Sequence, residues 1–151
     1  MKYEIYIFEE AKTASFYKKA IAEYGKRLSR YCKISCRFIR KEKEWEKLLD
    51  SAAAMASAGD AQNGGGPCLI LPGPDSVSSE DFSEKLRRWE MSGQGKKLFF
   101  IPGAHFAGSE KEKLPILNLS DFTMNTAMTA MILYEQIYRG YRIMNHHPYH
   151  K

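Results

Sequence analysis

The chain has 151 residues, 44% hydrophobic and 27% charged, with a net charge of +5. This is the length of one domain, 1–151, and the composition of an ordinary globular protein. No apolar run approaches the ~20 residues of a membrane span, and Met1-Lys2-Tyr3-Glu4 does not open a signal peptide.

Tyr3–Phe8 alternates and is rich in β-formers, which predicts a first strand. A helix is predicted over 14–31, with Phe16, Ala20, Tyr24, Leu28 and Tyr31 as its apolar stripe. Most of the excess positive charge falls in this region. Residues 1–50 hold 13 Lys and Arg against 8 Asp and Glu. Lys26, Arg27 and Arg30 belong to that patch, which is either a phosphate-binding surface or a solvated face. Lys33–Arg40 alternates again and predicts a second strand, with Ile34, Cys36 and Phe38 on one side. Cys32, Cys36 and Cys68 are odd in number and lack metal-type spacing. They fit reduced thiols in a cytoplasmic protein.

A second helix is predicted over 42–58, followed by a Gly-rich loop through Asn63–Pro67. Cys68–Leu71 and Leu98–Ile101 are short and wholly apolar, the pattern of strands buried on both faces. Between them lies a helix over 79–91, with Glu80 and Asp81 at its positive end. Ile116–Leu119 predicts a last short strand, and 123–145 one long helix with Met124, Met128, Met131, Tyr134 or Glu135, and Tyr138 on a stripe. The fold class expected is α/β: a mostly parallel sheet with helices on both faces. Ligands bind such sheets beyond the carboxyl ends of the strands. That points to the loops 72–78 and 102–109, where Gly73 and Gly103 permit close backbone approach. A plain strand-to-helix turn is the alternative. The tail His146-His147-Pro148-Tyr149-His150 has no helical spacing and no acid close in sequence, so no metal site is expected. Instead it offers imidazole and phenol groups to a pocket. Glu135 and Arg139, four apart on the last helix, can pair.

The segment Glu135-Gln136-Ile137-Tyr138-Arg139-Gly140-Tyr141-Arg142-Ile143, followed by Pro148-Tyr149-His150-Lys151, resembles a family signature. That family is the ribosomal RNA large subunit methyltransferase H family, of the SPOUT class. Ala22–Leu28, Tyr31–Ile34 and Leu117–Thr123 resemble it in register. The resemblance implies a C-terminal trefoil knot, a homodimer, S-adenosyl-L-methionine as cofactor, and methyl transfer to N3 of a pseudouridine in 23S rRNA on the ribosome. Carried over by position, it implies cofactor binding by Ile70, Leu71, Gly103, Ser120, Asp121, Phe122, Thr123, Met124 and Asn125. Arg139, Tyr138, Tyr149 and His150 take the substrate-side, catalytic roles.

The chain departs from the family pattern on the cofactor side. Pro102-Gly103-Ala104-His105-Phe106 keeps one glycine of the usual three. Glu9-Glu10 replaces a Gly-Lys at the end of the first strand, and Pro74-Asp75 replaces another after the third. Asn125, Thr126 and Ala130 stand where a Pro-His pair and an Arg are usual. Cofactor binding weaker than the family's is therefore expected, with Phe106 stacking on the adenine in partial compensation. Two readings remain: a working methyltransferase with an altered pocket, or a relative that binds rRNA or the ribosome with a weak or absent cofactor site.

Overall fold

A computed structural model describes residues 1–9, 11–57, 66–105 and 114–151. The order of elements is β1 (Lys2–Phe8), α1 (Ser15–Leu28), β2 (Lys33–Ile39), α2 (Glu42–Ser57), β3 (Cys68–Ile70), α3 (Ser79–Met91), β4 (Lys96–Ile101), β5 (Ile116–Leu117) and α4 (Thr126–Met144). The five strands form one sheet in the order β2-β1-β4-β3-β5, every pairing parallel. The α/β class read from the sequence is the class observed.

Alternation along the strands divides the core in two. Tyr3, Ile5, Ile7, Cys68, Ile70, Phe99 and Ile101 face one way, against α1, α3 and α4. Phe8, Leu69, Phe100 and Leu98 face the other way, against Trp45, Leu49 and Ala52 of α2. β4 is buried along nearly its whole length because helices cover both of its faces. Ile34, Cys36 and Phe38 of β2 pack half-buried against the first of these cores, on the side the sequence indicated.

Two helix faces differ from expectation. Phe16 is not part of the buried stripe of α1; it is 64% exposed, and Ile21 and Leu28 are the residues buried. Tyr31 lies beyond the end of α1, where its ring stacks on Tyr141 with centroids 5.3 Å apart. On α4 the fully buried face runs through Ala127, Ala130, Leu133, Ile137, Gly140 and Tyr141. Of the expected stripe, Tyr134 is buried with that face, whereas Met128, Met131, Glu135 and Tyr138 are half-buried, as is Met124 just before the helix. Small residues set the face because they let α4 approach its neighbours. A Cβ on Gly140 would collide with Leu86 of α3.

The connections after β3 and β5 are tied together. Gly73 N donates to Ser120 O at 3.1 Å, Val77 N to Asn118 O at 3.3 Å, and Asn118 Nδ2 to Leu71 O at 2.8 Å. The approach is so close that a Cβ on Gly73 would overlap the Asn118 amide. No helix among the described residues is long and apolar enough to cross a membrane. The end of the second predicted helix at Ala58 and the loop residues Asn63–Gly65 lie outside the described residues.

Candidate active site

In a parallel sheet, neighbouring strands whose connections leave in opposite directions open a crevice at their carboxyl ends. Here those strands are β1 and β4: β1 connects outward to β2, and β4 outward to β5 beyond β3. A cleft of about 640 Å³ opens at that point, within the usual size for a small-molecule site.

One wall of the cleft carries Ile70, Leu71, Gly103, Ser120, Phe122, Thr123, Met124 and Asn125. These are the cofactor residues expected from the resemblance, apart from Asp121, which is exposed and does not line the cleft. Gly103 opens a short turn, Gly103–His105, at φ +57°, a left-handed conformation that suits glycine. A Cβ there would also strike Thr126 at the start of α4. His105 stacks on Phe8 with centroids 3.8 Å apart and lies 3.6 Å from Glu42. The described start of the loop, Gly103–His105, is thus held to β1 by an aromatic contact. Phe106 and the remainder of that loop lie outside the described residues. Asn125 caps α4 by accepting from Met128 N at 2.8 Å, and its Nδ2 donates to Tyr17 Oη at 3.1 Å.

The opposite wall was not anticipated. It comes from the segment after β1: Ala11, Lys12, Thr13, Ala14 and Tyr17. Glu9, 6% exposed, organises it. Its carboxylate accepts from Thr13 N at 2.6 Å, from the Thr13 hydroxyl, and from Arg40 Nε at 3.3 Å. Burial alone would raise the Glu9 pKa; the Thr13 and Arg40 bonds outweigh it and hold the carboxyl below its ordinary value. Sequence reading missed this wall because hydropathy does not give strand order, and only the order makes β1 central.

The four residues expected on the substrate side are gathered elsewhere, on α4 and the tail. Glu135 Oε1 accepts from Arg139 Nη2 at 2.7 Å and Nε at 3.0 Å, and from the Tyr149 hydroxyl at 3.2 Å. Tyr149 lies edge-on to Tyr138 at 4.8 Å, with the Arg139 guanidinium 5.0 Å from its ring. His150 Nδ1 is 3.2 Å from Arg139 Nη1, and its Nε2 is 2.7 Å from Glu80. Acids therefore do stand beside the tail, contrary to the sequence expectation; they arrive through the fold, from α3 and α4. Ser79 Oγ and the Gln136 amide extend the network to Glu135. The Glu135 bonds raise the Arg139 pKa, and burial pushes the Tyr149 phenol up. None of these four residues lines the cleft of their own chain. In one chain the residues expected at the cofactor and those expected on the substrate side form two separate groups.

A family described as "Predicted SPOUT methyltransferase" matches residues 1–150. Ribosomal RNA large subunit methyltransferase H 1 of Thermoanaerobacter sp. (strain X514) is 32% identical, the alignment covering 100% of both chains. The protein named ribosomal RNA large subunit methyltransferase H of Acetivibrio thermocellus is 33% identical over 90% of this chain and 91% of its own. The protein of the same name from Exiguobacterium sibiricum is 32% identical over 90% and 91%.

Proposed function

Since the chain belongs to the SPOUT methyltransferase family, in its ribosomal RNA large subunit methyltransferase H branch, we propose that it methylates N3 of a pseudouridine in 23S rRNA, as a homodimer acting on ribosomes in the cytoplasm. The observation that carries this reading is the cleft itself. Eight of the nine residues assigned to the cofactor by resemblance converge on one cavity at the sheet's switch point.

The cavity fits S-adenosylmethionine. Ile70 and Leu71 give it an apolar floor, and the left-handed Gly103 leaves backbone bare of side chain. Ser120, Thr123, Met124 and Asn125 close the side next to α4. When bound, S-adenosylmethionine supplies a methyl group activated by its sulfonium. The protein's own work is to hold the base in line and to ease departure of the N3 proton. Arg139, fixed by two bonds from Glu135, places a permanent positive charge that favours the deprotonated imide. Tyr138 and Tyr149 present ring faces and edges to a base. Of the four side chains, the His150 imidazole is the one suited to accept a proton.

Separation of the two groups within one chain supports the homodimer: the tail of one chain meets the cleft of its partner. The trefoil knot of the class is part of the same proposal, and the bonds between 71–77 and 118–120 suit it.

Titration of S-adenosylmethionine by calorimetry, followed by mass analysis of 23S rRNA after incubation with ribosomes, tests the reading. One site per chain and one new methyl on a pseudouridine are expected. Replacement of two of the usual three glycines, by Pro102 and Phe106, favours the alternative of a ribosome-binding relative without activity. Ribosome binding with no cofactor heat would establish that alternative.

A further inference from the structure

Five large hydrophobic side chains are exposed among the described residues: Phe16, Met55, Met91, Ile116 and Phe122. Only two of them are aromatic: Phe122 lines the cleft, and Phe16 lies outside its lining but next to it in sequence. Phe122, 83% exposed, is one of its lining residues. Phe16, 64% exposed, follows the wall residue Ala14 by two positions, and its ring is 4.4 Å from that of Tyr17, a wall residue itself. Tyr17 is bonded across the cleft to Asn125, so the Phe16 pair on α1 is linked directly to the segment that carries Phe122. Exposure of such rings to water is unfavourable, and exposed apolar surface beside an opening marks a contact site.

Charge narrows the choice of ligand. Lys12 lines the same wall and is exposed, and Lys19 is exposed on α1. Neither α1 nor α4 has an acidic residue in its first turn, so the positive ends of both helices are left uncompensated near the opening. Glu9 is turned inward and engaged by Thr13 and Arg40. Asp121 is the exception, and it stays off the cleft wall. Exposed rings beside lysines are what single-stranded nucleic acid requires: bases stack on the rings while phosphates meet the cations.

We propose that Phe16 and Phe122 are a stacking platform at the mouth of the cleft, on which unpaired rRNA bases flanking the target nucleotide lie, with Lys12 on a neighbouring phosphate. This rests on the methyltransferase reading and adds to it a set of residues that grip the substrate strand. Phe16 and Lys12 belong to the β1–α1 side, and Phe122 stands on the facing wall with the residues assigned to the cofactor. Phe16 and Lys12 act on substrate capture.

The test uses the full chain. Phe16 has no part in the cofactor wall, so Phe16→Ser should keep S-adenosylmethionine affinity and Tm while raising KM for ribosomes about tenfold. Phe122→Ser should weaken binding of the single-stranded RNA by a similar factor, measured without S-adenosylmethionine because Phe122 also lines the cofactor wall, and Phe122→Trp should restore it. A second measurement is independent of methyl transfer. A single-stranded RNA oligonucleotide carrying 2-aminopurine should be quenched by the wild-type protein and not by the Phe16→Ser, Phe122→Ser double variant. Unchanged KM and unchanged quenching would overturn the platform. So would loss of the dimer mass in light scattering of the double variant, which would make these rings a contact between copies. A wild-type chain that quenches the oligonucleotide but transfers no methyl would defeat the methyltransferase reading and leave the platform standing.

Discussion

Gly103 meets two constraints at one position: a left-handed backbone and no room for a Cβ beside Thr126. Gly103→Ala should cost about 1–2 kcal/mol in stability and weaken S-adenosylmethionine tenfold or more, as read by calorimetry. Glu9 meets a different need. Its carboxylate holds the loop that forms the second wall, through Thr13 and Arg40. Glu9→Gln should lower stability by about 1–2 kcal/mol at neutral pH. Because the folded-state pKa lies below the unfolded value, this contribution is complete above about pH 4.3. It fades as pH falls through the depressed folded value. Urea unfolding of wild type and Glu9→Gln should therefore differ at pH 7 and converge at the acid end. A sequence read by motif shows Glu9 only as a missing Gly-Lys. Its role rests on partners 4 and 31 residues away, which local pattern cannot supply.

At the scale of elements, strands and helices were legible because their periods differ and their ends carry punctuation. α3 begins where Ser78 accepts from Asp81 N, and its bounds are those read from the sequence. The long helix was legible in extent but not in orientation. Its apolar residues go most of the way round, so hydropathy does not choose a face; of the expected stripe Tyr134 is buried, while Met128, Met131 and Tyr138 are only half-buried. Packing is decided by Ala127, Ala130 and Gly140, where absence of side chain admits Leu86 and the sheet. Gly140→Ala gains up to about 1 kcal/mol in helix propensity yet should destabilise the protein by a net ~1–3 kcal/mol through overpacking. Denaturant midpoints should show the loss, and Leu86→Ala in the same chain should recover part of it. Equal midpoints for wild type and Gly140→Ala would mean that α3 yields freely.

For the whole molecule, the class of sheet was readable from the sequence and the strand order was not, and half the site follows from the order. The tail is short and terminal, where residues rarely anchor a core. Its bonds to Glu80, Glu135 and Tyr24 make it a docked segment, although contacts this exposed contribute little each. Removing Pro148–Lys151 should lower stability by less than about 2 kcal/mol and abolish methyl transfer, as Tm and a ribosome assay would report. Light scattering at micromolar concentration should give twice the chain mass. A wild-type monomer that still transfers methyl would show that the tail reaches a cleft without a partner.

The hydroxyls of Tyr3 and Tyr141 lie 3.0 Å apart across 138 residues, and β1 has β4 as one of its two neighbours. The second residue of β1 is thus buried by nearly the last turn of α4. During synthesis the N-terminal strand leaves the exit tunnel first and waits for partners made last. Only the β1-α1-β2 unit closes early; the rest of the sheet, dominated by distant pairings, forms slowly. A nascent chain stalled before α4 emerges should be cut readily by protease, and one stalled well after Met144 should resist. The protein therefore depends on a ribosome finishing its work before it can begin its own.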